Sequence, residues 1–341
     1  MNAEDLASPR LYPLSFDAAS ERVRFIALTE ENYRFESFLD ERLLEKFGFG
    51  RWTPFDDVRQ AVAGTDAECD FIFHIGHVGS TLLSRLLGED GRVFSLREPA
   101  ILRTLAVAEL SSLDRGVLDD QTRLFLKLWA RVWRPGQRTL LKATSFVSET
   151  APRLMTLNST ARAILMYVQP RTHLAAILAG EASRAELAVN APMRLTRLHR
   201  RLGGPIWRLG VLSEGERAAM SWACEVMALD QVAAQFAGRV LWLDFDALLA
   251  EPDFWLAAAL RRLHGEASGA AVEAILHSEH LRRYAKAPEH VFDTSVRQQA
   301  LADSSQTHRE EIDRGMAWLE GAASAHPPIG EAVRRLTSLA P

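Results

Sequence analysis

The sequence predicts an α/β protein: a three-layer α/β/α sandwich built on a central parallel sheet, with helical appendages. Three observations predict it. Short apolar runs recur at residues 71–75, 93–96, 139–142, 163–168 and 239–245, and stretches of helical periodicity separate them. Those runs are apolar nearly throughout, the pattern of strands covered on both faces, and parallel strands need such helical crossovers. The first run leads into FIFHIGHVGSTLLSRLLGED (71–90), where two glycines and a Ser-Thr pair precede an amphipathic helix.

Residues 1–65 precede the first predicted sheet strand and form an N-terminal appendage of mixed character. The core spans 66–265. After its first strand, Leu82, Leu83, Leu86 and Leu87 share one helical face, and Gly88 is a C-terminal stop. The runs VFSL, TLLK and AILMYV supply the next three strands. The segment 194–208, RLTRLHRRLGGPIWR, reads as a basic helix running into a Gly-Gly-Pro turn. Ser213 and Glu216 have the spacing of a capping box, opening a long helix with Trp222, Val226, Leu229 and Ala233 along one face. RVLWLDF is the last core strand. Residues 266–341 then form a helical extension packed on the core, with a polar loop at 286–295. There is no internal repeat and no low-complexity tract.

Composition narrows the function classes. A chain of 341 residues with net charge −4 and a pI near 6.2 has no basic excess for nucleic acid. Its two cysteines, Cys69 and Cys224, give neither a disulfide framework nor metal spacing, which suits a reducing compartment. The polar start and the lack of a long apolar run lead us to expect a cytoplasmic protein with no membrane span. Basic charge is nearly all arginine, the lysines being Lys46, Lys127, Lys142 and Lys286.

In an open parallel sheet, ligands bind beyond the carboxyl ends of the strands, so the loop after the first strand is the default site. Gly76 and Gly79 permit tight turns that point successive N–H groups at an anion. The helix from Ser80 adds unpaired N–H groups and a positive dipole end, and Ser80 and Thr81 add hydroxyls. The plainer alternative is a strand-to-helix turn with glycines for packing. The lysine that nucleoside triphosphatases place before the Ser/Thr is absent, and Ser80 stands there. A side chain at Gly79 is expected to fill the phosphate position.

HVGSTLLSRLL resembles the 5′-phosphosulfate loop of the sulfotransferases, with His77 on its basic position, Val78 on a serine, Gly79 on the glycine, and Ser80 and Thr81 on two threonines. LREP (96–99), LLKATS (140–145) and DFDALLAEP (244–252) resemble further elements of that family, in its order, across roughly residues 70–255. The resemblance implies a P-loop nucleotide-hydrolase/sulfotransferase-like fold. It also implies 3′-phosphoadenosine 5′-phosphosulfate as cofactor and sulfuryl transfer to a small-molecule or carbohydrate acceptor through a hydroxyl or amine. The family's 3′-phosphate clamp is not matched. In YVQPRTHLAAIL, Val168 or Gln169 stands for its arginine, and alanines or Ile177 for its serine; Arg171, one turn on, is the substitute.

The candidate catalytic residues are Glu98, His77 and Lys142. The cofactor-binding candidates are Gly76, His77, Val78, Gly79, Ser80, Thr81 and Arg171, and no metal is expected. Sulfuryl transfer needs a base for the acceptor's proton, donors for the non-bridging oxygens, and charge to balance the leaving phosphate. Glu98 is the base, beside Pro99 at the end of the second strand; the alternative is an ion pair with Arg97 or Arg103. Lys142 ends an apolar strand at the same edge and can hold sulfate or acceptor; the alternative is a snorkelling lysine. Thr144 stands where some family members carry a catalytic histidine. The stripe Arg194, Arg197 and Arg201 grips an anion or is a solvated helix face. His173, His199 and His264 lack metal spacing. Two other readings compete: a Mg-dependent phosphotransferase with Asp244 as ligand, which His74 in the outer-glycine position opposes, and a nucleotide-binding protein without turnover.

Overall fold

The computed structural model describes residues 6–111, 114–284, 287–291 and 294–339. The N-terminal part carries a three-stranded antiparallel sheet, β1 (Leu11–Asp17), β2 (Arg22–Ala27) and β3 (Arg51–Pro54), with short helices between and after the strands. The core sheet has five strands: β4 (Cys69–His74), β5 (Val93–Arg97), β6 (Arg138–Lys142), β7 (Ala163–Tyr167) and β8 (Val240–Asp244). Its order is β5-β6-β4-β7-β8, and every pairing is parallel. The strand that bears the glycine loop is therefore central. The chain leaves β4 towards β5 in one direction and leaves the adjacent β6 towards β7 in the other, and this reversal opens a crevice at their carboxyl ends.

Burial explains this placement. All six residues of β4 are buried, with the Phe71 and Phe73 rings stacked 5.1 Å apart, so only a strand with neighbours on both edges and both faces suits them. The 22-residue helix Glu214–Gln235 has its capping box formed by Ser213 and Glu216 and buries its apolar stripe against the sheet layer. Helix Arg309–Ala325 lies across it so closely that a Cβ on Gly215 would stand 1.8 Å from the Glu311 carbonyl oxygen. Glu311 Oε2 also accepts from the Gly215 N–H at 2.8 Å.

The N-terminal part is tied on by buried arginines. Arg131 donates to the carbonyls of Leu6, Ser8 and Leu11, and Arg97 to those of Tyr33, Arg34 and Glu36. The expected polar loop at 286–295 is a strand over Ala287–Val291 paired with Arg283–Tyr284, followed by a helix from Thr294; residues 286, 292 and 293 lie outside the described residues. No helix among the described residues is long and apolar enough to cross a membrane.

Candidate active site

Beyond β4 the backbone turns through Gly76, His77 and Gly79 at φ of 90°, 55° and 63°, and the helix Ser80–Leu87 begins. A histidine absent from the candidate set pins this loop. The Gly76 N–H donates to His74 Nδ1 at 3.0 Å, so the proton sits on Nε2, which donates to the Ala143 carbonyl at 2.8 Å. One ring thus ties the loop to the end of β6. The signal was a histidine directly after the apolar run Phe71–Phe73.

The loop residues play unequal parts. Thr81 is buried and its Oγ1 has no hydrogen-bond partner, an arrangement that suits a ligand oxygen. Ser80 is buried beside it. Val78 points into the core, so only its backbone can serve an anion. His77 is partly open, its Nε2 3.4 Å from Glu186 Oε2. At Gly79 a Cβ would stand 2.1 Å from the Phe245 ring, a packing constraint that the sequence reading did not include. Glycine is required by packing and by positive φ together.

Glu98 and Lys142 are brought together. Register places Arg97 opposite Lys142, and the Glu98 N–H extends the ladder to the Lys142 carbonyl at 2.8 Å. Glu98 then takes φ of 53°, and its carboxylate meets the Lys142 ammonium. The lysine is 1% exposed and the glutamate 14%, so Lys142 does not snorkel. Nor does Glu98 pair with Arg97, which is spent on backbone carbonyls, or with Arg103, whose guanidinium lies over Phe146. Among the described residues only Glu21, His77 and Glu98 hold positive φ without being glycine. Two of the three stand here, each at a cost of about 1–3 kcal/mol that the surrounding structure must impose.

Other candidates lie elsewhere. Arg171 is 59% exposed and pairs with Asp313 on helix Arg309–Ala325 at 2.9 Å, and Val168 is fully buried. Asp244 caps the helix Phe245–Ala250, accepting from the Asp246 N–H at 2.8 Å, and burial raises its carboxyl above the ordinary value. Among the described residues no three His, Cys, Asp or Glu side chains form a metal-holding group.

The arginine stripe is not a solvated face. Arg194 and Arg197 bind Glu225 at 2.9 and 3.0 Å, while Arg197 and Arg201 reach Glu149 at 3.2 and 2.8 Å. Burial would raise the Glu225 carboxyl, but Arg197 and Arg194 outweigh it and hold it low. His173 is buried, and its pKa falls to about 3 because burial, then His77, then Arg194 disfavour its charge. A separate cavity of about 920 Å³ lies beside the free edge of β5 and the helix Glu30–Phe35 and contains none of the loop residues.

No family model matches the chain, and no curated protein does. The chain is similar in structure to solved sulfotransferases. One is a sulfotransferase domain from the curacin biosynthetic pathway, with 13% identity, 70% of this chain and 96% of that one covered, and a TM-score of 0.45. A sulfotransferase from Mycobacterium avium gives 12%, 73%, 79% and 0.43 in the same order. One from Mycobacterium tuberculosis H37Rv gives 14%, 74%, 78% and 0.42.

Proposed function

We propose that the protein transfers a sulfuryl group from a nucleotide phosphosulfate, 3′-phosphoadenosine 5′-phosphosulfate, to a hydroxyl or amine of a small-molecule or carbohydrate acceptor. The observation that carries this reading is the strained Glu98–Lys142 pair at the strand end beside the glycine loop. The donor would supply a sulfur already activated by its bond to phosphate. Loop N–H groups of 76–81 and the Thr81 hydroxyl would hold its 5′ end. The 3′-phosphate finds no matching clamp at Val168 or Arg171, so recognition rests on the 5′ side.

Glu98 takes the acceptor's proton as the acceptor oxygen or nitrogen bonds to sulfur and the sulfur–phosphate oxygen bond breaks. Protonating that carboxylate dissolves its ion pair. The Lys142 ammonium is then released to the non-bridging oxygens as charge moves toward the leaving phosphate. The test supplies radiolabelled donor with mixtures of alcohols, phenols, sugars and amines, in the presence of a chelator. Transfer that persists without divalent metal is expected. Donor binding without transfer to any acceptor would indicate a binding protein, and ATP-dependent labelling that requires Mg²⁺ would indicate a phosphotransferase.

A further inference from the structure

The loop lacks a lysine, yet a cation stands behind it. Arg194, on the helix Glu181–Leu202, is buried, and its Nη2 donates to Ser145 Oγ at 3.3 Å. That oxygen lies 3.2 Å from where a Cβ on Gly76 would stand. Guanidinium, serine and loop backbone are therefore in one line of contact. Because Ser145 Oγ accepts from Arg194, its own proton remains available for a ligand oxygen.

Charge around Arg194 does not balance. Three guanidiniums, those of Arg194, Arg197 and Arg201, share two carboxylates, Glu225 and Glu149. One positive charge is left over in a largely buried cluster, which is costly unless something answers it. A second observation points the same way. His173 is 2% exposed, its Nδ1 has no partner, and it lies close enough to His77, Arg194 and the Glu186 carboxylate paired with His77 to feel their charge, the net effect disfavouring its own protonation. A buried ring nitrogen without a partner beside surplus positive charge suits an anion.

We propose that Arg194, acting with Ser145 and His173, is the cationic rear wall of the anion site at 76–81 and does there what a loop lysine does elsewhere. The ligand class is a tetrahedral oxyanion, the phosphate or sulfate end of a nucleotide. This rests on the reading of the loop as that anion's site. Arg194 binds the ligand directly, whereas Arg197 and Arg201 hold the helix through Glu225 and Glu149.

The experiment titrates adenosine 3′,5′-bisphosphate and inorganic sulfate into the full chain by calorimetry, with thermal unfolding measured on the same samples. Arg194→Met alone strands Glu225, so the informative variant is Arg194→Met with Glu225→Gln, which removes both charges of the pair. Arg201→Met, on the far side of the cluster, is the control. The expected result is that the double variant unfolds near the wild-type temperature yet binds the bisphosphate at least tenfold more weakly, while Arg201→Met binds as wild type does. A double variant that binds like wild type would make Arg194 purely structural and overturn the proposal while leaving the loop reading intact. Should a folded double variant and Arg201→Met weaken alike, the effect belongs to the whole cluster and the proposal fails. If the wild type binds neither probe, the reading of the loop falls first and the rear wall with it.

Discussion

The Glu98–Lys142 pair and the Arg194–Glu225–Arg197 cluster both start from the end of β6, where Lys142 closes the strand and Ser145 opens the turn after it. They are built differently. Glu98 reaches its partner from a strained backbone and keeps part of its surface open. Glu225 is fully buried on a regular helix and receives Arg194 Nε and Arg197 Nη1 and Nη2 between 2.9 and 3.0 Å. A carboxylate whose lone pairs are filled by guanidinium donors can hold structure but has no room to accept a proton from a substrate. A carboxylate at a rim, held by one ammonium, can exchange that partner for a proton. The contrast sets a buried ion cluster against the pair that the proposed transfer uses.

The largest effect should come from breaking the deep cluster. Glu225→Ala would leave two buried guanidiniums facing a void, and we expect a loss of about 3–5 kcal/mol in urea unfolding. A loss under about 1 kcal/mol would mean that the cluster is not structural, and the comparison would collapse. Next in size is Glu98→Gln, which keeps shape and removes the base. Sulfuryl transfer should fall roughly a hundredfold or more, about 2.7 kcal/mol of barrier, with donor affinity within a few-fold of wild type. Transfer at the wild-type rate would make the pair as structural as its neighbour.

The burial of His173 beside the cluster can be read through pH. Its folded pKa of about 3 lies below the ordinary 6.5, so between those values the unfolded chain binds the extra proton. Stability from this group is complete above about pH 6.5 and drains away as pH falls toward 3. From pH 7 to pH 5 the wild type should lose at most about 2 kcal/mol more than His173→Leu, measured by denaturant unfolding at each pH. Equal slopes would mean that His173 keeps its ordinary affinity for protons and that its burial does not hold it neutral.

The two regions were also unequally legible in the sequence. The five core strands follow from apolar runs, and the glycine loop from its spacing, because local sterics and burial on both faces dictate them. Glu98 and Lys142 were each recognisable at a strand end, but their pairing was not. It depends on β5–β6 register and on a positive φ at a glutamate, which no propensity foretells. The arginine stripe looked solvated because its partner lies on another helix, 31 residues after Arg194. A signal existed: Glu225 sits on the face of Trp222 and Leu229, where a carboxylate needs a cation. Phe245 against Gly79 left no signal at all, since a contact between loops after β4 and β8 follows only from the sheet order.

The smallest effect is the one in which stability and function should move in opposite directions. Thr81 Oγ1 is buried with no partner, whereas the deep cluster fills every lone pair of Glu225 that its geometry reaches. An unanswered hydroxyl in a folded core costs free energy, so the protein carries that cost in the absence of a ligand. Thr81→Val keeps the shape and removes the polar atom. We expect it to raise unfolding stability by about 0.5–1 kcal/mol and to weaken binding of adenosine 3′,5′-bisphosphate several-fold. A structural threonine would behave otherwise, losing stability when a hidden hydrogen bond is cut and leaving affinity unchanged. Gain in one measurement with loss in the other is the mark of a polar atom kept for something that arrives from outside. Ser148→Ala, which removes an Oγ that already donates to the Ser145 carbonyl at 2.7 Å, should lower stability without touching affinity.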